Sequence, residues 1–117
     1  MSPVPVDVPL GLSPRVAEDA DGGLTLLRVV SEPIRWRILT LLAEEELCTT
    51  HLQGLLGAKQ TLVSHHLKVL REAGVLDTEP CGRFTYYRLR PGALDGLASS
   101  FEALAGASHR EPTRRAC

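Results

Sequence analysis

Thr61, Ser64, His65 and Lys68 lie three, four and seven residues apart when counted from the first of them. At 3.6 residues per turn, that spacing stacks all four on one side of a helix. Short hydroxyls, an imidazole and an ammonium on one face suit a duplex major groove, where base edges and phosphates both need small hydrogen-bonding groups. A merely solvated helix face satisfies the same pattern and stands as the alternative. Val63, Leu67 and Leu70 fall on the other side and mark the face turned towards a core. Lys59, Gln60 and Arg71 extend the polar set, and Arg83, next to Gly82, is placed to touch phosphate or enter a minor groove.

A second set of residues could hold a metal ion. Asp95, Glu102 and His109 recur every seven residues, so they lie nearly on one helical stripe. Two such stripes from an antiparallel pair would supply oxygen and nitrogen ligands suited to nickel or zinc. A solvated edge is the alternative. Cys48, His51 one turn later, and a swung-in Cys117 form a third candidate group, suited to arsenite. Against it, Cys48 reads equally as a small buried apolar residue and His51 as a surface one. His66 reads as semi-buried packing. No Gly-rich phosphate loop, no nucleophile with a base and an orienting acid, and no paired carboxylates in a cleft are present, so an enzyme is not expected.

The elements that must position these side chains are short. Residues 1–13, with Pro3, Pro5 and Pro9, read as an extended, flexible arm. The folded domain is expected over 14–107 and a flexible tail over 108–117. Ser13-Pro14 suits a helix start, but Gly22-Gly23 weakens a helix that runs through them, which leaves a short one near Leu24–Val30. Glu32-Pro33 opens a second helix to about Glu44, and Leu47–Leu56 reads as a third, stopped by Gly57. Lys59–Ala73 comes next after a tight turn, giving two short helices joined through a glycine. Val75-Leu76 enters a strand, Pro80-Cys81-Gly82 turns, and Phe84–Leu89 alternates as a second strand. Pro91 opens a last helix to about Ala107, with Leu94, Leu97, Phe101 and Leu104 as its apolar stripe. The sum is a mainly α chain with a small β-hairpin, ordered α-α-α-α-β-β-α: a winged helix-turn-helix.

Length and composition agree. The 117 residues make about one domain, with 44% hydrophobic and 23% charged residues. No apolar run approaches the length of a membrane span, so no membrane partner is expected. Three scattered cysteines argue for reduced thiols and a cytoplasmic location. Net charge is only −1, but residues 59–90 carry six Lys/Arg against three Asp/Glu, while residues 1–46 carry four Arg against eight Asp/Glu. A local positive excess of this kind is what a phosphate-facing surface needs.

The run from Ser64 to Leu76, the Gly82-Arg83 turn with Tyr86-Tyr87-Arg88-Leu89 after it, and the segment Glu32–Leu39 resemble three ordered motifs of the ArsR/SmtB family of bacterial metal-responsive transcriptional regulators. Glu32 stands where that family usually carries Asp. The resemblance spans about residues 24–105. It implies a homodimeric repressor of operator DNA, with Leu94, Leu97, Phe101 and Leu104 on the last helix at the dimer interface; intramolecular packing fits that stripe equally. The family's arsenic-binding pattern is matched only at Cys48, with Thr50 and Gln53 in the other two positions. Its zinc ligands fall on Pro91, Ala93, Leu104 and Ala107, none of which binds a metal. Two readings of regulation remain open. Either a metal ion controls the operator affinity, or the chain works with an accessory sensor protein or a redox signal.

Overall fold

A computed structural model describes the backbone of residues 14–117, and the side chains from residue 23 onward. The expected arm at 1–13 lies outside the described residues. The elements run α1 (Pro14–Ser31), α2 (Pro33–Leu42), β1 (Leu47–Cys48), α3 (Thr49–Leu56), α4 (Gln60–Glu72), β2 (Leu76–Cys81), β3 (Phe84–Leu89) and α5 (Asp95–Ser108).

The helix starts obey local chemistry. Glu32 sits at the N-cap of α2, where its carboxylate accepts from Ile34 N–H at 3.1 Å and Arg35 N–H at 2.8 Å, and Pro33 supplies the first helical residue. Gly57 takes the left-handed conformation (φ 63°) that ends α3 and lets α4 begin after three residues. Gly82, also at φ 63°, makes the hairpin turn between β2 and β3.

Three differences from the elements expected on sequence have physical causes. First, α1 continues through Gly22-Gly23 rather than being confined to Leu24–Val30. Each glycine costs about 1 kcal/mol in a helix interior. The helix is held by its packing, with Val30 in the core and Leu26 and Val29 against it. Second, Leu47 and Cys48 are not helical. They pair antiparallel with Tyr87 and Tyr86, so the expected hairpin becomes a three-stranded sheet in the order β1-β3-β2. Leu47 is buried, and the pairing satisfies backbone groups that a bare loop would leave unbonded. Third, α5 begins at Asp95 and not at Pro91, because Gly92 adopts φ 81° and turns the chain first.

The core lies where these elements meet. Val30 of α1, Ile38, Leu39 and Leu42 of α2, Leu52 of α3, Val63, Leu67 and Leu70 of α4, and Val75 and Leu76 leading into β2 form one buried cluster. Tyr87 and Leu89 of β3 pack on it from the sheet, while Phe84 stays half exposed at the hairpin end. Leu67 is 1% exposed and Leu62, on the same helix, 41%. Leu67→Ala should therefore lose about 2–5 kcal/mol of stability and Leu62→Ala under about 1 kcal/mol. Urea unfolding of both variants at one protein concentration, monitored by far-UV circular dichroism, measures this. Similar losses in the two, or a larger one in Leu62→Ala, would contradict this roll of α4.

Candidate nucleic-acid interface

The roll of α4 about its own axis decides what it shows to solvent. Val63, His66, Leu67 and Leu70 are buried, and together they cover one side of the helix. Thr61, Ser64, His65, Lys68 and Arg71 are all exposed and occupy the other side, as their spacing predicts. Lys59 is the N-cap residue, and its side chain has no acceptor to offer. The first helical hydrogen bond is Val63 N–H to the Lys59 carbonyl at 3.1 Å. The amides of Gln60, Thr61 and Leu62 therefore lie ahead of the ladder, at the positive end of the helix dipole.

Sequence reasoning did not single out two exposed apolar residues beside this stripe. Leu62 lies next to Thr61, and Phe84 adjoins Arg83 at the hairpin turn; they are 41% and 49% exposed. For Leu62 a signal existed, since it falls one position before the core series Val63, Leu67, Leu70. Exposed apolar atoms beside hydrogen-bonding groups suit thymine methyls and groove walls.

Charge is sorted by partner. Arg88 has Nη1 3.8 Å from both Glu46 and Glu79, and Arg90 bonds Asp77 at 2.8 Å. Lys59, Lys68, Arg71 and Arg83 make no ion pair among the described residues. The positive excess of residues 59–90 is thus concentrated on α4 and at the tip of the hairpin.

His66 is buried, as expected, but in polar company. Its Nδ1 lies 3.2 Å from Arg35 Nη1 and 3.5 Å from Glu32 Oε2, and its ring stands edge-on to His65 at 5.3 Å between centroids. Burial, above all, pushes its pKa below the ordinary 6.5; the Glu32 charge pulls upward, and the Arg35 and His65 charges push down again. For Glu32, burial favours the neutral acid, but the amides of Arg35 and Ile34, with the charges of His66 and Arg35, outweigh it and hold the pKa below 4.5.

The metal candidates do not converge within one chain. Asp95, Glu102 and His109 are exposed along α5 at intervals of about 10 Å, from the helical rise. Among the described residues, no three His, Cys, Asp or Glu side chains cluster closely enough to hold an ion. Cys48 is buried, and its Sγ lies 3.4 Å from His51 Nδ1, which also accepts from the Cys48 amide at 3.2 Å. Cys117 is exposed at the chain end.

The apolar stripe of α5 divides in two. Leu94 and Leu97 pack on the chain's own core, whereas Phe101 and Leu104 are 53% and 69% exposed. A groove of about 330 Å³ runs between α1, α2 and α5, lined by Leu27, Val30, Trp36, Leu97 and Phe101 among others. No helix among the described residues is long and apolar enough to cross a membrane.

Residues 32–78 match the family described as bacterial regulatory protein, arsR family. Over 93 residues, 80% of this chain and 67% of the relative, the sequence is 40% identical to the HTH-type transcriptional repressor SmtB of Mycobacterium tuberculosis. Among solved structures it is similar to a possible transcriptional regulator for arsenical resistance, with 35% identity and a TM-score of 0.61 over 73% of this chain and 96% of that one. A homodimeric winged helix-turn-helix DNA-binding domain from Mycobacterium bovis shares the fold at 23% identity and a TM-score of 0.66, covering 91% of this chain and all of that fragment. With its winged helix-turn-helix, the exposed polar stripe of α4 and this degree of likeness, the chain belongs to the ArsR family of bacterial regulatory proteins, which are DNA-binding transcriptional regulators and not enzymes.

Proposed function

We propose that this chain is a cytoplasmic repressor that lays α4 in the major groove of operator DNA as a homodimer, with an operator affinity set by an effector. One observation carries the reading. On α4 a buried stripe of Val63, Leu67 and Leu70 stands opposite an exposed stripe of Thr61, Ser64, His65 and Lys68, flanked by cations that no carboxylate of the described residues neutralises. Thr61, Ser64 and His65 read base edges in this scheme. Lys59, Lys68, Arg71 and Arg83 neutralise phosphates, and Gln60 contacts the backbone or a neighbouring base. A single helix this short holds DNA weakly, so two copies about one helical turn apart would read a near-palindrome. The exposed Phe101 and Leu104, continuous with the groove beside α1, support the pairing of two copies there. The homodimeric fold relative agrees with it.

The effector reading is a metal ion, supported by the arsenical-resistance relative. The described residues of one chain do not make a metal site. An ion would have to be held where Asp95, Glu102 and His109 of two copies meet, and those oxygen and nitrogen donors favour nickel or zinc over arsenite. A second reading is a redox signal or an accessory sensor protein, with Cys48, whose Sγ lies 3.4 Å from His51 Nδ1, as the thiol that a redox signal would have to reach.

Binding is measured on a duplex selected by the protein from a random-sequence pool, against an unselected duplex of the same length. Lys68→Ala and Arg83→Ala should each weaken binding to both duplexes and reduce the slope of log affinity against log salt by about 1. Ser64→Ala and His65→Ala should instead narrow the difference between selected and base-substituted duplexes by about 1–3 kcal/mol. Four variants indistinguishable from wild type would show that another surface meets the DNA.

For the effector, nickel, zinc and arsenite are added in turn to wild type and to Asp95→Ala, His109→Ala and Cys48→Ser. One ion should change the operator affinity by about 5- to 150-fold, the usual range of allosteric coupling. That change should vanish in the Asp95 and His109 variants. A response to oxidant alone, lost in Cys48→Ser, would favour the redox reading. A change that requires a second protein under every condition would favour the accessory sensor.

A further inference from the structure

Three helices meet at one ring nitrogen. Arg35 lies in the first turn of α2, and its Nε donates to the Val29 carbonyl of α1 at 2.6 Å. Its Nη1 faces His66 Nδ1 of α4 at 3.2 Å. The carboxylate of Glu32, already bonded to the Arg35 amide, brings Oε2 to 3.5 Å from the same Nδ1. A guanidinium only donates and a carboxylate only accepts, so these two neighbours require opposite states of the nitrogen between them. With its proton on Nε2, neutral His66 accepts from Arg35. Once Nδ1 is protonated, the imidazolium faces a second cation across 3.2 Å and can donate only to Glu32.

We propose that Arg35 is a positioning residue that ties the recognition helix to the end of α1, and that protonation of His66 Nδ1 exchanges this tie for one to Glu32 and so weakens operator recognition. The proposal rests on the DNA-binding reading of α4 and deepens it. α1 and α5 carry the apolar surface assigned to dimer contact, and His66 is next to His65 on the stripe assigned to bases. The tie therefore runs from the pairing surface to the reading surface through two side chains. The charged or titratable groups that act on His66 are Glu32 at the α2 cap, Arg35 on α2, and His65 on α4 itself; α1 contributes the Val29 carbonyl through Arg35.

Burial fixes the direction with pH. It favours neutral His66 more than in an ordinary histidine, so the Arg35 tie is held above 6.5. As pH falls below 6.5, protonation is resisted at first and then prevails, and the tie is lost. The unfolded chain takes the proton more readily than the folded one, so fold stability also declines over this acid window and is full above it.

The full-length protein is tested on the selected and unselected duplexes at about pH 7.5 and about pH 5.5. His65, on the stripe assigned to bases, is retained in every variant below, so the difference between wild type and His66→Asn isolates His66. In wild type the ratio of the two affinities should fall at the acid pH, by at most about tenfold per pH unit for one coupled proton. His66→Asn offers an amide oxygen near the place of Nδ1 and does not titrate, so its ratio should lose the acid fall seen in wild type. Arg35→Gln should give a low ratio at both. A ratio in His66→Asn that falls as in wild type overturns the proposal alone, whereas wild type with no preference at either pH overturns the DNA-binding reading and the proposal with it.

Nitrogen-detected NMR of the wild-type protein supplies a readout that needs no variant to fold. His66 should show the Nε2–H tautomer at neutral pH, and the Arg35 Nε–H resonance should move with the same midpoint as the ring. A His66 that carries its proton on Nδ1 at neutral pH, or an Arg35 signal that ignores the titration, overturns the proposal.

Discussion

The roll of α4 governs everything else in this protein. A helix has one angular degree of freedom once its axis is set, and burial of Val63, Leu67 and Leu70 removes it. Each of these is at most 1% exposed, so a rotation that brought any one of them to water would give up a large part of its burial energy, about 1.5–3 kcal/mol per side chain. The polar stripe is exposed for that reason and not because its own contacts hold it. Side chains selected to meet a partner need no intramolecular bonds, and Thr61, Ser64, His65 and Lys68 appear in none of the side-chain hydrogen bonds of the described residues.

The neighbours of α4 complete the support. α3 ends at Gly57 and hands the chain to Lys59 within three residues, which keeps the two helices in contact through Leu52. On the other flank the sheet is wider than a hairpin. Because β1 pairs with β3, the strand that carries the wing is central in the sheet and bonded on both sides near its middle. Beyond that pairing, Cys81 and Phe84 close the ladder around Gly82. The wing therefore has a firm root and a free tip, which places Arg83 at the end that solvent and a partner can reach.

What could be read from the sequence was what depends on near neighbours along the chain. The α4 stripe, the β3 strand and the stops at Gly57 and Gly74 are properties of a few consecutive residues, and all stand in the structure. What could not be read depends on residues far apart. Leu47 becomes a strand because Tyr87 lies beside it, and nothing in Leu47-Cys48 announces that partner. The length of α1 depends on Val29 and Val30 finding a core that outweighs the two glycines. The heptad spacing of Asp95, Glu102 and His109 was legible, but within one chain a stripe along an exposed helix spreads ligands apart instead of gathering them. His66 was legible as a packed residue; its link to Glu32 and Arg35, from another helix, was not.

A chain of net charge −1 can still be built for a polyanion, and the arrangement of its ion pairs is the reason. Electrostatic attraction to DNA is set by the charges within about a Debye length of the phosphates, about 8–10 Å in cellular salt, and not by the whole-molecule sum. Arg88 and Arg90, farther back on and just after β3, are neutralised in place by Glu46, Glu79 and Asp77. These exposed pairs contribute little to stability. Their effect is to remove cations from the body of the wing and leave Arg83 as the cation at its tip. Lys59, Lys68 and Arg71 make no ion pair among the described residues, while the acidic excess of residues 1–46 belongs to the other end of the sequence. The field that a duplex would meet is therefore shaped by which arginines are already spoken for, and that pairing is decided by strand register: Asp77 sits opposite Arg88, and Glu79 opposite Tyr86, so the β2 carboxylates line the β3 arginines and stop short of the turn.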